Sequence, residues 1–340
     1  MSRTYDVAVA GATGLVGSAM VRILAERNFP VGKLYPLASA RSRGRTIEFR
    51  GESIAVEVLE EFDFAQTQIG LFSAGGSISA EYAPKAAAAG TIVIDNTSYF
   101  RNDDDIPLVV PEVNPDRIGD YRNRGIIANP NCSTIQMVVA LKPLHAAHGI
   151  ERINVATYQA VSGAGATEVE QLYQDVRAVL DGRIPQSDDN SKTFAFNAVP
   201  HIDDFLDNGY TKEEMKMVHE TRKILEDDRI MVNPTTVRVP VSVGHSEAVH
   251  IETRTKVTVT EAQKLLNSAA GVIVIDGREM GEYPTALTDA AGHDAVFVGR
   301  IREDVSHPRG LNLWIVADNL RKGAALNSVQ IAEILVNKIM

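Results

Sequence analysis

Cysteine is almost absent from this chain: Cys132 is the only one in 340 residues. A single thiol excludes a framework of intramolecular disulfides and is typical of proteins from a reducing compartment. No apolar run approaches the ~20 residues that a membrane-spanning helix requires. The N-terminus leads directly into an apolar strand pattern without the features of a signal peptide. We therefore expect a cytoplasmic protein without a membrane partner.

Positive charge is also in short supply, with 34 Lys and Arg against 44 Asp and Glu and a net charge of -10. The basic residues form no stripe along the chain, so nucleic acid is not an expected partner. Hydrophobic residues make up 44% and charged residues 23%, which is the balance of a globular protein. At this length one ordinary core is insufficient, and two domains are predicted.

The first third of the sequence alternates short apolar runs with helical patterns, which predicts β-α-β units. Strands are predicted over residues 5–10, 33–38, 69–73, 91–95 and 125–128, and helices over residues 16–26 and 80–89. Because these strands are hydrophobic almost throughout, we expect them to be buried on both faces, as in a Rossmann-type parallel sheet.

After residue 131 the strands become longer and their apolar and polar residues alternate, which predicts an α+β domain with a mostly antiparallel sheet. Its predicted strands are residues 152–160, 236–243, 248–259, 295–301 and 311–316, and its predicted helices are residues 135–148, 167–180, 213–225 and 261–269. Residues 185–190 are predicted to form a surface loop. An amphipathic helix is predicted over residues 327–340. The predicted domains are therefore residues 1–131, completed by residues 319–340, and residues 132–318.

A glycine-rich turn, GATGLVG at residues 11–17, joins the first predicted strand to the first predicted helix. Glycines such as Gly11 and Gly14 let the backbone approach a pyrophosphate, whose charge is met by N–H groups at the helix N-terminus. The spacing is GxxGxxG rather than GxGxxG, and the alternative is a turn that only packs the strand against the helix. Its position between strand and helix favours dinucleotide binding.

The loop after the second predicted strand, SARSRG at residues 39–44, carries no carboxylate. An NAD site normally has an acidic residue there for the ribose 2′-hydroxyl. Arg41 and Arg43 with Ser39 and Ser42 instead suit a 2′-phosphate, because guanidinium groups bind phosphate oxygens in a fork geometry. A solvated basic loop is the alternative. Coming after the glycine-rich turn, the loop favours NADP as the cofactor.

Cys132 lies in NPNCST (residues 129–134), just before the helical pattern of residues 135–148. The positive end of a helix favours the thiolate form of a cysteine placed there. Most cysteines that are not in disulfides are buried structural residues, but this one has polar neighbours. Farther along the chain, Arg238 and His245 are predicted to lie at the two ends of one strand and its turn. An arginine for a carboxylate and a histidine for proton transfer form a sensible pair, although a lone turn histidine is more often structural.

Ordered motifs across the whole chain resemble those of the aspartate-semialdehyde dehydrogenase family. They are GATG (residues 11–14), FSAGG (72–76), DNTS (95–98), NPNCST (129–134), RVPVSVGH (238–245) and DNLRKGAA (318–325). The resemblance implies NADPH-dependent reduction of L-aspartyl 4-phosphate to L-aspartate 4-semialdehyde and phosphate, an early step toward lysine, diaminopimelate, methionine, threonine and isoleucine. It also implies a homodimer joined through the second domain, and no metal is expected.

The same resemblance implies roles for individual residues. Cys132 matches the nucleophile that forms an acyl-thioester, His245 the general acid and base, and Gln159 a residue that orients the reacting group. Arg238 matches the arginine for the substrate α-carboxylate, and Glu213 is assigned to the α-amine or to neighbouring cations. The phosphate-binding residues are expected to be Arg101, Lys216 and Asn102. For Glu213 and Lys216, a weak surface ion pair is the alternative.

For the cofactor, the resemblance implies a pyrophosphate turn and a 2′-phosphate contact followed by positions near the nicotinamide. The expected cofactor-binding residues are Gly11, Thr13, Gly14, Leu15, Val16, Ser39, Arg41, Ser42, Ala74, Gly75, Ser162, Gly163 and Asn319. The remaining alternatives are N-acetyl-γ-glutamyl-phosphate reductase, which has no need of a free-amine partner such as Glu213, and phosphorylating glyceraldehyde-type dehydrogenases, which generally suit NAD. A non-catalytic NADP-binding regulator is a further alternative, from a different class of protein.

Overall fold

The computed structural model of the chain describes residues 3–185 and 192–339. Its helices and strands are, in chain order, β1 (Tyr5–Ala10), α1 (Leu15–Glu26), β2 (Val31–Ala38), β3 (Thr46–Phe49), β4 (Glu52–Ala55), β5 (Glu57–Val58), β6 (Ile69–Phe72), α2 (Gly76–Ala88), β7 (Ile92–Asp95), β8 (Ile126–Ala128), α3 (Cys132–His148), β9 (Ile150–Gln159), α4 (Ala166–Leu180), α5 (Lys212–Leu225), β10 (Met231–Arg238), β11 (His245–Thr253), α6 (Val259–Asn267), β12 (Val272–Val274), β13 (Val296–Glu303), β14 (Gly310–Ala317) and α7 (Leu326–Ile334).

The chain divides into two compact units. The first contains residues 1–131 and 324–340, and the second contains residues 132–323. The division predicted from the sequence placed residues 319–323 with the first unit, whereas in the structure they belong to the second. The predicted loop at residues 185–190 falls, apart from Pro185, outside the described residues. Within the described residues, no helix combines the length and the apolar character needed to cross a membrane.

The first unit is built on a parallel sheet, which confirms the predicted Rossmann-type architecture. Its described strands follow the order β5-β2-β1-β6-β7-β8, and every pairing in it is parallel. The chain passes from β1 to β2 on one side and later to β6 on the other, so the connections change direction at β1. In such a sheet, ligands bind at the carboxyl ends of the strands next to this switch point. The hairpin of β3 and β4 was not predicted, because both short strands are mostly exposed and lack the continuous apolar run of the buried strands.

The C-terminal helix begins one residue before its predicted start and is more deeply buried than predicted. The expectation was an amphipathic helix over residues 327–340. α7 spans Leu326–Ile334 and continues as a π-helical turn over Leu335–Ile339, but α7 is buried on nearly all sides, including at Asn327 and Ser328. Its apolar side chains join those of α1 and the parallel sheet in one core. The prediction of amphipathicity was wrong because the polar residues Asn327 and Ser328 find partners inside the unit: Asn327 donates to the carbonyl of Val109, and Ser328 to that of Ala324.

The second unit contains a mixed sheet with the described order β10-β9-β11-β14-β13-β12. Three of its pairings are antiparallel, β9 with β11, β11 with β14 and β13 with β14, and two are parallel, β9 with β10 and β12 with β13. The α+β architecture with mostly antiparallel pairing is therefore confirmed. The predicted strand bounds at residues 236–243 and 248–259 were wrong. Arg238 ends β10 and His245 begins β11, so the two residues lie on neighbouring elements rather than at the two ends of one strand.

Candidate active site

Three predicted site residues meet at one edge of the second sheet because of strand register. Gln159 is the last residue of β9 and pairs with Arg238, the last residue of the parallel strand β10. His245 is the first residue of β11, which runs antiparallel to β9 with Ser246 opposite Tyr158. A strand that starts at this edge and two strands that end there place the three side chains together. All three residues are buried.

Cys132 is the first residue of helix α3, three residues earlier than the predicted start of that helix. The cysteine is half-buried, and it faces the positive end of the helix. A Cβ on Gly323 would lie 2.8 Å from the Cβ of Cys132, so only glycine leaves room there. Burial lowers the pKa of Arg238, while the negative charges of Glu213, Cys132 and Glu168 oppose that effect. The thiol therefore lies within electrostatic range of the guanidinium.

The hydrogen bonds of His245 define which ring nitrogen carries the hydrogen. Its Nδ1 accepts the backbone N–H of Ala160 at 2.9 Å, so the neutral ring carries its hydrogen on Nε2. That Nε2 lies 3.4 Å from the amide nitrogen of Gln159. Burial lowers the pKa of His245 to about 3, with help from the charge of Arg238 and against Glu213 and the Gly244 backbone. The ring is therefore neutral at pH 7 and presents an N–H donor toward Gln159.

A chain of polar contacts links Gln159 to helix α5. The amide nitrogen of Gln159 donates to Glu213 Oε1 at 3.1 Å, and Lys216 Nζ donates to Glu213 Oε2 at 3.0 Å and to Asp203 at 2.7 Å. Burial by itself lowers the pKa of Lys216, but the carboxylates of Glu213 and Asp203 outweigh it and the pKa is raised. Lys216 is thus held as a cation between two carboxylates, and Asp203 is a partner that the sequence did not reveal.

The start of α5 is fixed by its cap. Thr211 and Glu214 form a capping box, in which each side chain accepts the other residue's backbone N–H. Glu214 also accepts the backbone N–H of Thr236 at 3.0 Å, two residues before Arg238. One buried carboxylate therefore ties the helix that carries Glu213 to the strand that carries Arg238.

Arg238 is anchored so that part of its guanidinium group remains available. Nη1 donates to the carbonyl of Ala160 at 2.7 Å. A Cβ on Gly163 would lie 3.1 Å from that Nη1 and 3.3 Å from His245 Nε2. The exposed Gly163 therefore leaves a path to both groups that any larger residue would narrow.

Ser162 and Asn319, both expected near the nicotinamide, contact each other. Asn319 Nδ2 donates to Ser162 Oγ at 3.0 Å, and Asn319 Oδ1 accepts the backbone N–H of Gly244 at 2.8 Å. Gly244 precedes His245 directly and has a positive φ of 95°, and a Cβ there would lie 2.9 Å from the carbonyl oxygen of Ala286. Asn319 thus orients the turn that delivers His245.

In the first unit, two bare helix N-termini follow adjacent strands. Gly14 precedes α1 and Gly75 precedes α2; both are exposed, and neither offers a side-chain cap. A Cβ on Gly11 would lie 2.4 Å from the carbonyl oxygen of Ser73, and one on Gly17 would lie 2.1 Å from that of Gly11. These glycines let the turn approach β6 closely. Because α1 has no acidic residue in its first turn, this end of the sheet favours an anion.

The two arginines of the SARSRG loop have different surroundings. Arg43 forms an ion pair with Glu61, whereas Arg41 is exposed and has no hydrogen-bond partner among the described residues. Ser39 precedes a single turn at Ala40–Ser42, and Ser42 is buried. Of the two guanidinium groups, that of Arg41 is therefore the one open to a ligand.

Arg101 is not a solvent-facing cation. Its Nε donates to the carbonyl of Asn129 at 2.9 Å and its Nη2 to the carbonyl of Asn96 at 2.9 Å, while Asn102 is exposed. Arg101 therefore anchors the segment that leads to Cys132. Among the described residues there is no group of three or more His, Cys, Asp or Glu arranged to hold a metal ion.

Comparisons with known proteins place the chain in a class. Residues 6–121 match the family described as semialdehyde dehydrogenase, NAD binding domain. Residues 141–322 match the family described as semialdehyde dehydrogenase, dimerisation domain. Together with the Rossmann-type sheet, these matches define an oxidoreductase of the semialdehyde dehydrogenase class.

Full-length relatives narrow the class. The aspartate-semialdehyde dehydrogenase of Legionella pneumophila is 61% identical over 340 residues, covering 100% of this chain and 98% of that protein. The enzyme of the same name from Shewanella violacea is 57% identical over 336 residues, covering 99% of each. The crystal structure of aspartate semialdehyde dehydrogenase II from Vibrio cholerae complexed with ASA has 56% identity, a TM-score of 0.97 and full coverage of both chains. The chain belongs to the aspartate-semialdehyde dehydrogenase family.

Proposed function

We propose that this enzyme reduces L-aspartyl 4-phosphate to L-aspartate 4-semialdehyde with NADPH, through an acyl-thioester on Cys132. The observation that carries the proposal is the meeting of Gln159, Arg238 and His245 at one sheet edge, with Cys132 at a helix N-terminus within electrostatic range of Arg238. The biosynthetic step would serve lysine, diaminopimelate, methionine, threonine and isoleucine, and the proposed location is the cytoplasm.

The thiolate of Cys132 attacks the acyl carbon. A carbon–sulfur bond forms, the acyl carbon–oxygen bond to phosphate breaks, and inorganic phosphate leaves. Splitting the overall substitution into two steps in this way is the benefit of covalent catalysis. Arg101, Asn102 and Lys216 are the proposed phosphate-binding residues. Since Lys216 is held by Glu213 and Asp203, phosphate must compete with two carboxylates for it.

His245 and Gln159 act on the acyl oxygen. In the neutral ring, His245 Nε2 and the Gln159 amide nitrogen are both donors 3.4 Å apart, so neither accepts from the other and both can donate to one oxygen. Such donors stabilise the oxyanion of a tetrahedral intermediate. Donation of a proton by His245 requires the imidazolium form, which burial and, to a smaller extent, the charge of Arg238 disfavour. A substrate carboxylate on Arg238 offsets that charge, so substrate binding should raise the pKa of His245.

The first unit fits a dinucleotide. Gly11, Thr13, Gly14, Leu15 and Val16 form the turn at the N-terminus of α1, and Ala74 and Gly75 form the neighbouring one. At Gly14 and Gly75 the absence of a side chain leaves space next to the backbone, and a phosphate group can occupy that space. In the second unit, Ser162, Gly163 and Asn319 are the proposed residues near the nicotinamide. When bound, NADPH would supply the hydride that reduces the thioester carbon, and breakage of the carbon–sulfur bond would then release the aldehyde and return the thiolate of Cys132.

Arg41 is the proposed contact of the 2′-phosphate, with Ser39 and Ser42 beside it. Arg41→Ala should raise the KM for NADP by about 10- to 100-fold, the worth of a charge-assisted hydrogen bond, and should change the KM for NAD by less than about twofold. Arg43→Ala is the matched control, because Arg43 is paired with Glu61; we expect less than about a threefold change. Equal effects of Arg41→Ala on both nucleotides would contradict the assignment.

The function itself is tested with aspartate semialdehyde, inorganic phosphate and either NADP or NAD, followed by absorbance of the reduced nicotinamide. We expect phosphate-dependent production with at least a ~10-fold preference for NADP in kcat/KM. Equal production without phosphate, or none with NADP, would remove the proposal. N-acetyl-γ-glutamate semialdehyde is the control substrate and should give no signal.

We also propose a homodimer joined through the second unit. The face of its sheet that α3 does not cover carries a depression of about 320 Å³ lined by Asn154, Asn233, His250, Arg302 and Asn312. Tyr158 and Trp314 lie on the same face with ring centroids 5.5 Å apart, and Tyr158 is exposed. Aromatic residues of this kind are enriched at interfaces. Light scattering should give twice the chain mass of 36.9 kDa.

A further inference from the structure

Two buried polar residues, Gln136 on α3 and Glu247 on β11, follow the proposed catalytic residues on the same two elements. Glu247 follows His245 by two residues on β11, so both side chains point to the same face of the sheet. Glu247 is completely buried. Its cross-strand neighbours on that face are Thr157 of β9 and Ile315 of β14. A fully buried carboxyl group in such surroundings requires an explanation, because an unpaired buried charge is costly.

Helix α3 contributes the other of these two residues. Gln136 follows Cys132 by four residues, so the two side chains lie one above the other on the helix. Gln136 is completely buried, and its Nε2 donates to the backbone carbonyl of His245 at 3.3 Å. Gln136 therefore lies one helical turn after Cys132 on α3, and Glu247 lies two residues after His245 on β11.

In the part of the chain that the structure describes, the buried oxygen atoms of Glu247 and Gln136 have no hydrogen-bond donor facing them. Among the described residues, both carboxyl oxygens of Glu247 and Oε1 of Gln136 have no hydrogen-bond partner. As a carboxylate, Glu247 would add only acceptors to this group of oxygens. The Gln136 side chain lies close enough to Glu247 to affect its pKa. As a carboxylic acid, Glu247 supplies one O–H, which the otherwise unpartnered amide oxygen of Gln136 can accept. Burial raises the pKa of Glu247 well above its usual value, and Gln136 opposes this only in part.

We infer that Glu247 is a positioning residue that functions as a neutral carboxylic acid, donating its O–H to Gln136 and so locking the helix of Cys132 onto the strand of His245. The chain of contacts runs from Glu247 O–H to Gln136 Oε1, and from Gln136 Nε2 to the carbonyl of His245. This inference rests on the proposed roles of Cys132 and His245. Two of its experimental readouts, the Tm and the alkylation rate of Cys132, do not require that the substrate assignment be correct.

The consequence is a sensitivity to alkali. The groups facing Glu247 are Gln136 from α3, Thr157 from β9, Ile315 from β14 and, on its own strand, His245, which is the titratable one. In the unfolded chain Glu247 loses its proton near its usual pKa of 4.5, whereas in the folded protein it keeps it to a higher pH. Between these two values the folded state binds more protons, so stability falls as pH rises.

The test compares Glu247→Gln with Glu247→Leu. The glutamine variant keeps the shape, supplies an N–H donor for Gln136 and cannot ionise. We expect its kcat to be within about twofold of that of the parent at pH 7. Between pH 6 and pH 9 the Tm of both proteins should fall, and the fall should be smaller for the variant by at least ~3 °C. Glu247→Leu should lower kcat about tenfold, the effect of one lost buried hydrogen bond, with the KM for NADP unchanged.

Cys132 provides a readout that is independent of substrate. Because the chain has one cysteine, its alkylation by iodoacetamide is measured without background, and we expect Glu247→Leu to change that rate at least about threefold while Glu247→Gln does not. Glu252→Gln, on the same strand but half-buried on the opposite face, is the matched control and should leave the pH dependence of Tm unaltered.

Two results would overturn the inference. One is a Glu247→Gln variant as impaired at pH 7 as Glu247→Leu, which would mean that the carboxylate form is required. The other is an identical fall in Tm with pH for Glu247→Gln and the parent, which would mean that no proton is held on Glu247. Failure of the proposed function would be seen separately, as absent phosphate-dependent turnover in the parent enzyme.

Discussion

Replacing Cys132 by serine is expected to lower kcat by at least about 10⁴-fold, because an alcohol at this position is far less nucleophilic than a thiolate at a helix N-terminus. Serine preserves the size of the side chain beside Gly323, where the fit is close. The measurement is the steady-state rate of phosphate-dependent NADP reduction, together with the rapid initial burst of reduced nicotinamide in the parent enzyme. Both should disappear in the variant.

The control for the cysteine variant is retention of fold and cofactor binding. NADP affinity, measured by fluorescence titration, and Tm should remain close to those of the parent, because the proposed cradle lies at Gly14 and Gly75 of the first unit. A serine variant that turns over within about tenfold of the parent would exclude the thioester mechanism. Loss of NADP binding in that variant would instead indicate a structural role for the cysteine.

Replacing Arg238 by lysine is expected to lower kcat/KM for aspartate semialdehyde by about 10²- to 10³-fold, mainly through KM. Lysine keeps the positive charge, but it lacks the planar fork that can donate to the Ala160 carbonyl and bind a carboxylate together. Steady-state kinetics with each substrate varied in turn would separate the two constants. The KM for NADP should change by less than about twofold.

The same replacement at Arg309 is the matched control, because that side chain is an exposed partner of Glu151 in the same unit. An exposed ion pair contributes little, so Arg309→Lys should change neither constant by more than about twofold. If Arg238→Lys raised the KM values for both substrates equally, the proposed contact with the α-carboxylate would be wrong. If Arg238→Lys lowered the Tm as well as the activity, the loss of activity would be explained by impaired folding instead.

The elements that were predicted well are those whose signal is local. The β1 strand was placed at its observed bounds, and α1, α4 and α5 were placed to within one residue at each end, because hydrophobic period and capping depend on neighbours within a few positions. The turn at residues 11–17 was also local. The errors are of a different kind: β10 and β11 were shifted, so that the turn between Arg238 and His245 was assigned to a strand.

The polar surroundings of the site were not predictable in the same way. Nothing near Lys216 in the sequence indicates Asp203 as its partner, since that contact forms where a loop folds back onto α5. Glu247 has the appearance of an ordinary strand residue, and only its complete burial and its position over Gln136 give it significance. Arg101 was expected to contact phosphate, and the structure shows in addition that it holds backbone carbonyls.

By itself, the sequence determined the single thiol, the glycine-rich turn with its basic loop, the succession of parallel and alternating strands, and the family resemblance. The tertiary structure decided which distant residues meet. Gln159 and Arg238 become neighbours only because β9 and β10 pair in parallel register, and His245 joins them because β11 begins where those strands end. The same packing determines the protonation states of buried residues, since burial keeps His245 neutral and raises the pKa of Glu247. Local patterns record the chemistry of neighbours in sequence, whereas register and burial are properties of the assembled sheet.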